Sequence, residues 1–156
     1  MKRANLIILT ILLFLSGCNN SNSMFSSNVN PNDDVVYELT FTSNWNNQQF
    51  PANFPQTAHF SGLIGLTHKD QITIFQRSEL ASQGIIQMAE TGNKILLSTE
   101  ISTHINNGDS DKVLDGSGIP AGSDMTTLTF SANKTFDHLS ITSMVAPSPN
   151  WLVCWY

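Results

Sequence analysis

The chain has 156 residues, a formal net charge of −5 and only 12% charged residues. After Arg3 it holds no run of Lys or Arg, so it lacks the clustered cations that a phosphate-tracking surface needs, and nucleic acid is excluded as a partner. The length favours one domain, and Ser, Thr, Asn and Gln stand where most proteins carry charge, as in many exported β-proteins.

Lys2 and Arg3 precede an almost wholly apolar run from Leu6 to Leu15. The run is shorter than the roughly 20 residues of a membrane-spanning helix, and it suits the core of a signal peptide. It ends in Leu15-Ser16-Gly17-Cys18, which resembles a lipobox: small residues fit the peptidase cleft and the Cys18 thiol accepts diacylglycerol. Residues 1–18 are therefore expected to be a lipoprotein signal peptide, with a plain signal peptide or anchor and an incidental cysteine as the alternative. Acyl chains at one N-terminus, at about 0.8 kcal/mol per buried methylene, anchor without spanning. Asn19 and Asn20 follow, with no Asp to signal inner-membrane retention, which favours the outer membrane of the cell envelope.

Residues 19–34 are mostly Asn, Ser and Pro, too polar to bury a core, and are expected to be a flexible tether. Val35 to Thr42 alternates as a strand does. Residues 44–55 read as a loop around Trp45, Phe50 and Phe54, and Ile72 to Phe75 as a short strand. Residues 79–91 are the one helix expected, with Ser78 as its cap, a partial stripe of Leu80, Ile85, Met88 and Ala89, and Gly92 as its stop; Gly84 argues against a regular helix. Lys94 to Thr103 reads as a strand, residues 106–124 as a loop, and Met125 to Ser131 and Leu139 to Val145 as strands. Pro147 and Pro149 break the chain before Trp151. Short strands separated by turn signals predict an all-β antiparallel sandwich with one short helix.

His59, His68, His104 and His138 show no zinc spacing, and no Gly-x-Ser-x-Gly elbow accompanies the Ser, His and Asp residues, so an envelope hydrolase is the least favoured reading. Asp109, Asp111 and Asp115 share one loop but lack the terminal Glu of an EF-hand; a solvated loop is expected. Glu100, among apolar and hydroxyl side chains, is either an exposed strand residue or a metal ligand, since burial would demand a partner. Cys154 has no partner if Cys18 is lipidated.

Several segments resemble the spondin N-terminal domain in a bacterial lipoprotein form. They are Tyr37-Glu38-Leu39-Thr40-Phe41 with Trp45, Phe50-Pro51, Phe54-Pro55, and Ala58-His59-Phe60-Ser61-Gly62-Leu63-Ile64-Gly65 with His68. Ala81 to Ile85, Met88 to Gly92 and the run Ser143-Met144-Val145-Ala146-Pro147-Ser148-Pro149-Asn150-Trp151 complete the resemblance, which covers Val35 to Val153. It implies a C2-like sandwich, a non-enzymatic binding or adhesion module over residues 35–156, an extracellular or envelope ligand, and in some members calcium held by loop carboxylates. Glu100 corresponds to a strand-end glutamate of that set and Asn150 to a position usually occupied by Asp. A further acidic position falls at Tyr156, which cannot replace it, and fewer charged ligands weaken calcium. The resemblance also implies Gly at Cys154 and further strands beyond it. A frameshift that truncates the domain is one expectation, under which Trp151 is a core residue short of neighbours and the product could be inactive.

Overall fold

The computed structural model describes residues 33–76 and 78–156; the expected signal peptide, Cys18 and nearly all of the tether lie outside them. The described residues form seven strands and two helices: β1 (Val35–Asn44), β2 (His59–Phe60), β3 (Ile64–His68), α1 (Gln83–Thr91), α2 (Ile95–Asn106), β4 (Ser110–Asp115), β5 (Ser123–Ala132), β6 (His138–Ala146) and β7 (Leu152–Trp155). All strand pairs are antiparallel. β1 and β5 make a two-stranded ribbon, and the other five make the main sheet, in which β6 pairs with β2, β3 and β7 and β3 pairs with β4.

The alternation of Val35–Thr42 and of Met125–Ser131 becomes the ribbon, in register from Val35↔Ala132 to Asn44↔Ser123. The inward row is Leu39, Phe41 and Ser43, while Thr40 and Thr42 face solvent, as period-two alternation requires. β2 and β3 pair with β6 in registers one residue apart, so they continue one another around the irregular stretch Ser61–Leu63.

Two apolar clusters hold the layers together. On one face of the main sheet Ile64 and Leu66 meet Ile85 and Met88 of α1 and Leu97 and Ile101 of α2. On the other, Phe60, Leu63, Ile119 and Ile141 meet Phe41 of the ribbon. Burying a side chain of this size contributes about 1.5–3 kcal/mol. Phe41 is edge-on to Phe60 at 5.1 Å and to Trp155 at 4.9 Å, which ties the ribbon to both β2 and β7. The architecture is that of a sandwich of antiparallel sheets with helices on its outer face.

Four expectations from the sequence are corrected. Lys94–Thr103 is not a strand: it lies in α2, because Leu97, Ile101 and Ile105 recur every fourth residue and bury one stripe on the sheet. Its β-branched and hydroxyl residues fit a helix because Thr99, Ser102 and Thr103 return their hydroxyls to carbonyls four residues back. The described residues thus hold two helices rather than one. Ile72–Phe75 forms no strand; its apolar side chains lie against the helix-side core. The expected loop 106–124 contains β4, pairing with β3. Finally, Trp151 is 63% exposed, and Trp45 and Trp155 are the tryptophans that pack against the core.

Candidate functional site

The run Ser143–Trp151 closes the β6–β7 hairpin. Val145 N–H donates to the Trp151 carbonyl at 2.9 Å, Ser148 Oγ donates to the Val145 carbonyl, and Trp151 N–H donates to Ser148 Oγ at 3.1 Å. One serine therefore folds the loop and leaves the Trp151 ring outward. At the base of the hairpin Met144 N–H donates to Ser61 Oγ at 2.8 Å, and Ser143 Oγ donates to the Ser61 carbonyl at 2.8 Å. These two serines fasten the irregular stretch between β2 and β3 to β6. Gly92, which ends α1 at φ +69°, lies against the same point: a methyl there would stand 2.9 Å from Ser61 Cβ.

Between α1 and the hairpin runs an open groove of about 1070 Å³, lined by Ile85 and Ala89 on the helix and by Asn150, Trp151 and Cys154 opposite. The Cys154 thiol contacts Thr142 Oγ1 at 3.2 Å. Burial pushes its pKa above the ordinary 9.0, outweighing the Thr142 hydrogen bond that lowers it, so the thiol stays protonated and a poor nucleophile near neutral pH.

Glu100 lies on α2, where it faces the start of α1. Its Oε1 accepts from Gly84 N–H at 2.7 Å and its Oε2 from Ser82 Oγ at 2.6 Å. Ser82 is the N-cap of α1 and accepts from Ile85 N–H at 3.2 Å. The carboxylate thus completes a cap whose acid is supplied by the neighbouring helix, at the end where the helix dipole favours negative charge. Gly84 is required by this approach, because a methyl there would lie 2.7 Å from Leu97 Cα and within contact of the Glu100 carboxylate.

Asn150 sits across the groove, and among the described residues no hydrogen bond joins it to Glu100. Nor do the described residues contain a group of three or more His, Cys, Asp or Glu placed to hold a metal ion. Calcium takes six to eight oxygens. Each carboxylate oxygen of Glu100 already accepts one hydrogen bond, so a cation there would compete with Ser82 Oγ and the Gly84 amide. Asp115 instead pairs with Lys94, and Asp111 with Lys112 at 2.7 Å.

Ser82 and Gly84 are partners of Glu100 that sequence reasoning missed. The signal was present: Ser82 stands three residues before Ile85, which with Met88 and Ala89 makes the buried stripe of α1. Ser78, the cap expected from the sequence, has a φ of 70° and lies outside the helix.

A family model described as Spondin_N matches residues 35–155. Spondin-1 of Bos taurus and of Homo sapiens are each 31% identical to the chain over 127 residues, covering 75% of this chain and 15% of theirs. Spondin-2 of Rattus norvegicus is 27% identical over 121 residues, covering 75% of this chain and 37% of its own. The chain therefore spans well under half the length of these relatives.

Proposed function

Because the chain belongs to the Spondin_N family through residues 35–155, we propose that it is a non-enzymatic binding module of the spondin type, adhesive in role and held at a bacterial cell envelope by lipid on Cys18. The observation that carries the reading is the family match, which runs from the first strand to the last. How the polar groups are used supports a role without catalysis. Ser140 and His68 come together at 2.8 Å, the distance of a nucleophile and its base, yet they are 2% and 4% exposed. The other ring nitrogen of His68 is taken by the Lys69 carbonyl at 2.7 Å, so no carboxylate orients the ring and no substrate reaches the hydroxyl. Ser61, Ser82, Ser143 and Glu100 likewise hold elements together.

The tether rests on the basic start, apolar run and lipobox of residues 1–18. Among the described residues no helix is long and apolar enough to cross a membrane, and lipid at Cys18 supplies the attachment. Cell fractionation of the native chain beside a Cys18→Ala variant tests this reading. The native chain is expected in the membrane fraction, released by detergent but not by salt. A Cys18→Ala variant processed and fractionated identically to the native chain would overturn it.

A further inference from the structure

At β7 the main sheet has an open edge. Val145 N–H donates to the Trp151 carbonyl, so in the register of the hairpin Trp151, Val153 and Trp155 are the residues whose main chain bonds β6. The N–H and C=O groups of Leu152 and Cys154 point the other way, and no described strand pairs with them. The groove beside α1, lined by Leu152 and Cys154, leaves space for a further strand along this side.

An open edge invites pairing with another chain, and proteins commonly guard such edges with charge or Pro. The longer edge strands here are guarded in that way: β1 carries Glu38, β5 carries Asp124, and β4 carries Asp111, Lys112 and Asp115. Leu152-Val153-Cys154-Trp155 has neither a charge nor a Pro. Beside it Trp151 is held by its main chain yet stands 63% exposed.

This edge matches itself. When two β7 strands pair antiparallel about Val153, Leu152 and Cys154 of each copy exchange main-chain bonds with Cys154 and Leu152 of the other. Trp151 then stands opposite Trp155 of the second copy, at a non-hydrogen-bonded position where side chains approach closest. Trp155 is only partly buried, and symmetry makes the contact twice. An unrelated strand makes the same main-chain bonds but must bring its own apolar side chain to Trp151.

We propose that two copies of this chain join through their β7 edges into one continuous antiparallel sheet, with the two-fold axis at Val153. So short a pair of strands makes a small contact, and a weak, reversible dimer is expected. The inference does not depend on the envelope reading.

The test is disulfide trapping of the full chain in mild detergent, with copper phenanthroline as oxidant, read on non-reducing gels. In Val153→Cys the two new thiols face each other with Cβ atoms about 4.5–5.5 Å apart, near the roughly 3.5–4.5 Å of a disulfide. A linked species of twice the chain mass is expected. Leu152→Cys, which faces Cys154 of the second copy, is expected to link in the same register without altering Val153. The native chain should link at least about tenfold less, because Cys154 lies diagonal to its own copy, roughly 7–8 Å away. Trp151→Cys should also stay at background, although it is the most exposed of these positions, because its two copies stand four residues out of register. Adding Trp151→Lys to Val153→Cys should slow linking about tenfold, and thermal unfolding should show the fold intact because the ring is exposed. No linking in either Val153→Cys or Leu152→Cys, linking of Trp151→Cys as fast as Val153→Cys, or a linked species of another mass would overturn the proposal.

Discussion

Replacing Glu100 by Ala separates a carboxylate that fastens two helices from one that waits for a cation. The substitution removes the acceptor of Ser82 Oγ and of Gly84 N–H and takes a negative charge from the start of α1. Hydrogen bonds to a charged group contribute about 1.5–3 kcal/mol each. The Ser82 bond is solvent-exposed and counts at the low end or below, whereas the part-buried Gly84 amide loses its partner. The dipole adds about 0.3–1 kcal/mol. A net loss of about 2–3 kcal/mol follows, since these contributions overlap and water recovers part of them. For a domain of this size that lowers Tm by about 6–15 °C. Glu100→Gln keeps an oxygen for the Gly84 amide and is expected to lose about half as much. The assay is thermal unfolding by circular dichroism, run in calcium and in chelator. Equal losses in both media are expected, and the native Tm should not move with calcium. A Glu100→Ala loss below about 0.5 kcal/mol refutes the capping argument. A native Tm raised by calcium, with the rise absent in Glu100→Ala, would instead establish Glu100 as a ligand.

Other consequences are as direct. Gly84→Ala should destabilise by more than about 1 kcal/mol even though Ala favours helix over Gly by about that much, because the new methyl meets Leu97 Cα at 2.7 Å; equilibrium urea unfolding reads the sign. Cys154 should react with a disulfide reagent at pH 8 far more slowly in the folded chain than in denaturant, since burial raises its pKa. Because the folded pKa is the higher one, the stabilisation by neutral Cys154 is complete below the unfolded value near 9.0 and is lost as pH rises through the folded value. A Cys154→Ser chain should therefore lose less stability than the native chain between neutral and strongly alkaline pH, and equal losses would contradict the assignment.

Strands with one face in the core were legible from the sequence, and elements set by a distant partner were not. Val35–Asn44 and Ser123–Ala132 alternate because each turns one row of side chains inward, whereas His138–Ala146 is buried on both faces and alternates because its second face carries hydroxyls such as Ser140 and Thr142. α2 was misread because Ile, Thr and Ser dominate it, and only its fourfold spacing of Leu97, Ile101 and Ile105 distinguishes it from a strand. β4 hid among Asp and Gly residues, since two of its carboxylates, Asp111 and Asp115, are neutralised by Lys112 and Lys94. Glu100 was read as either an exposed strand residue or a metal ligand, and it lies on a helix. Its partners are a serine and an amide 16 to 18 residues earlier, a pairing that exists only once α1 and α2 pack.

The most direct test of the central claim, a spondin-type module tethered by lipid, is the intact mass of the chain isolated from membranes of the cells that make it. The account predicts a mature protein that begins at Cys18 and carries a diacylglyceryl group on its thiol. A mature protein that begins elsewhere, or one that begins at Cys18 with an unmodified thiol, would contradict it.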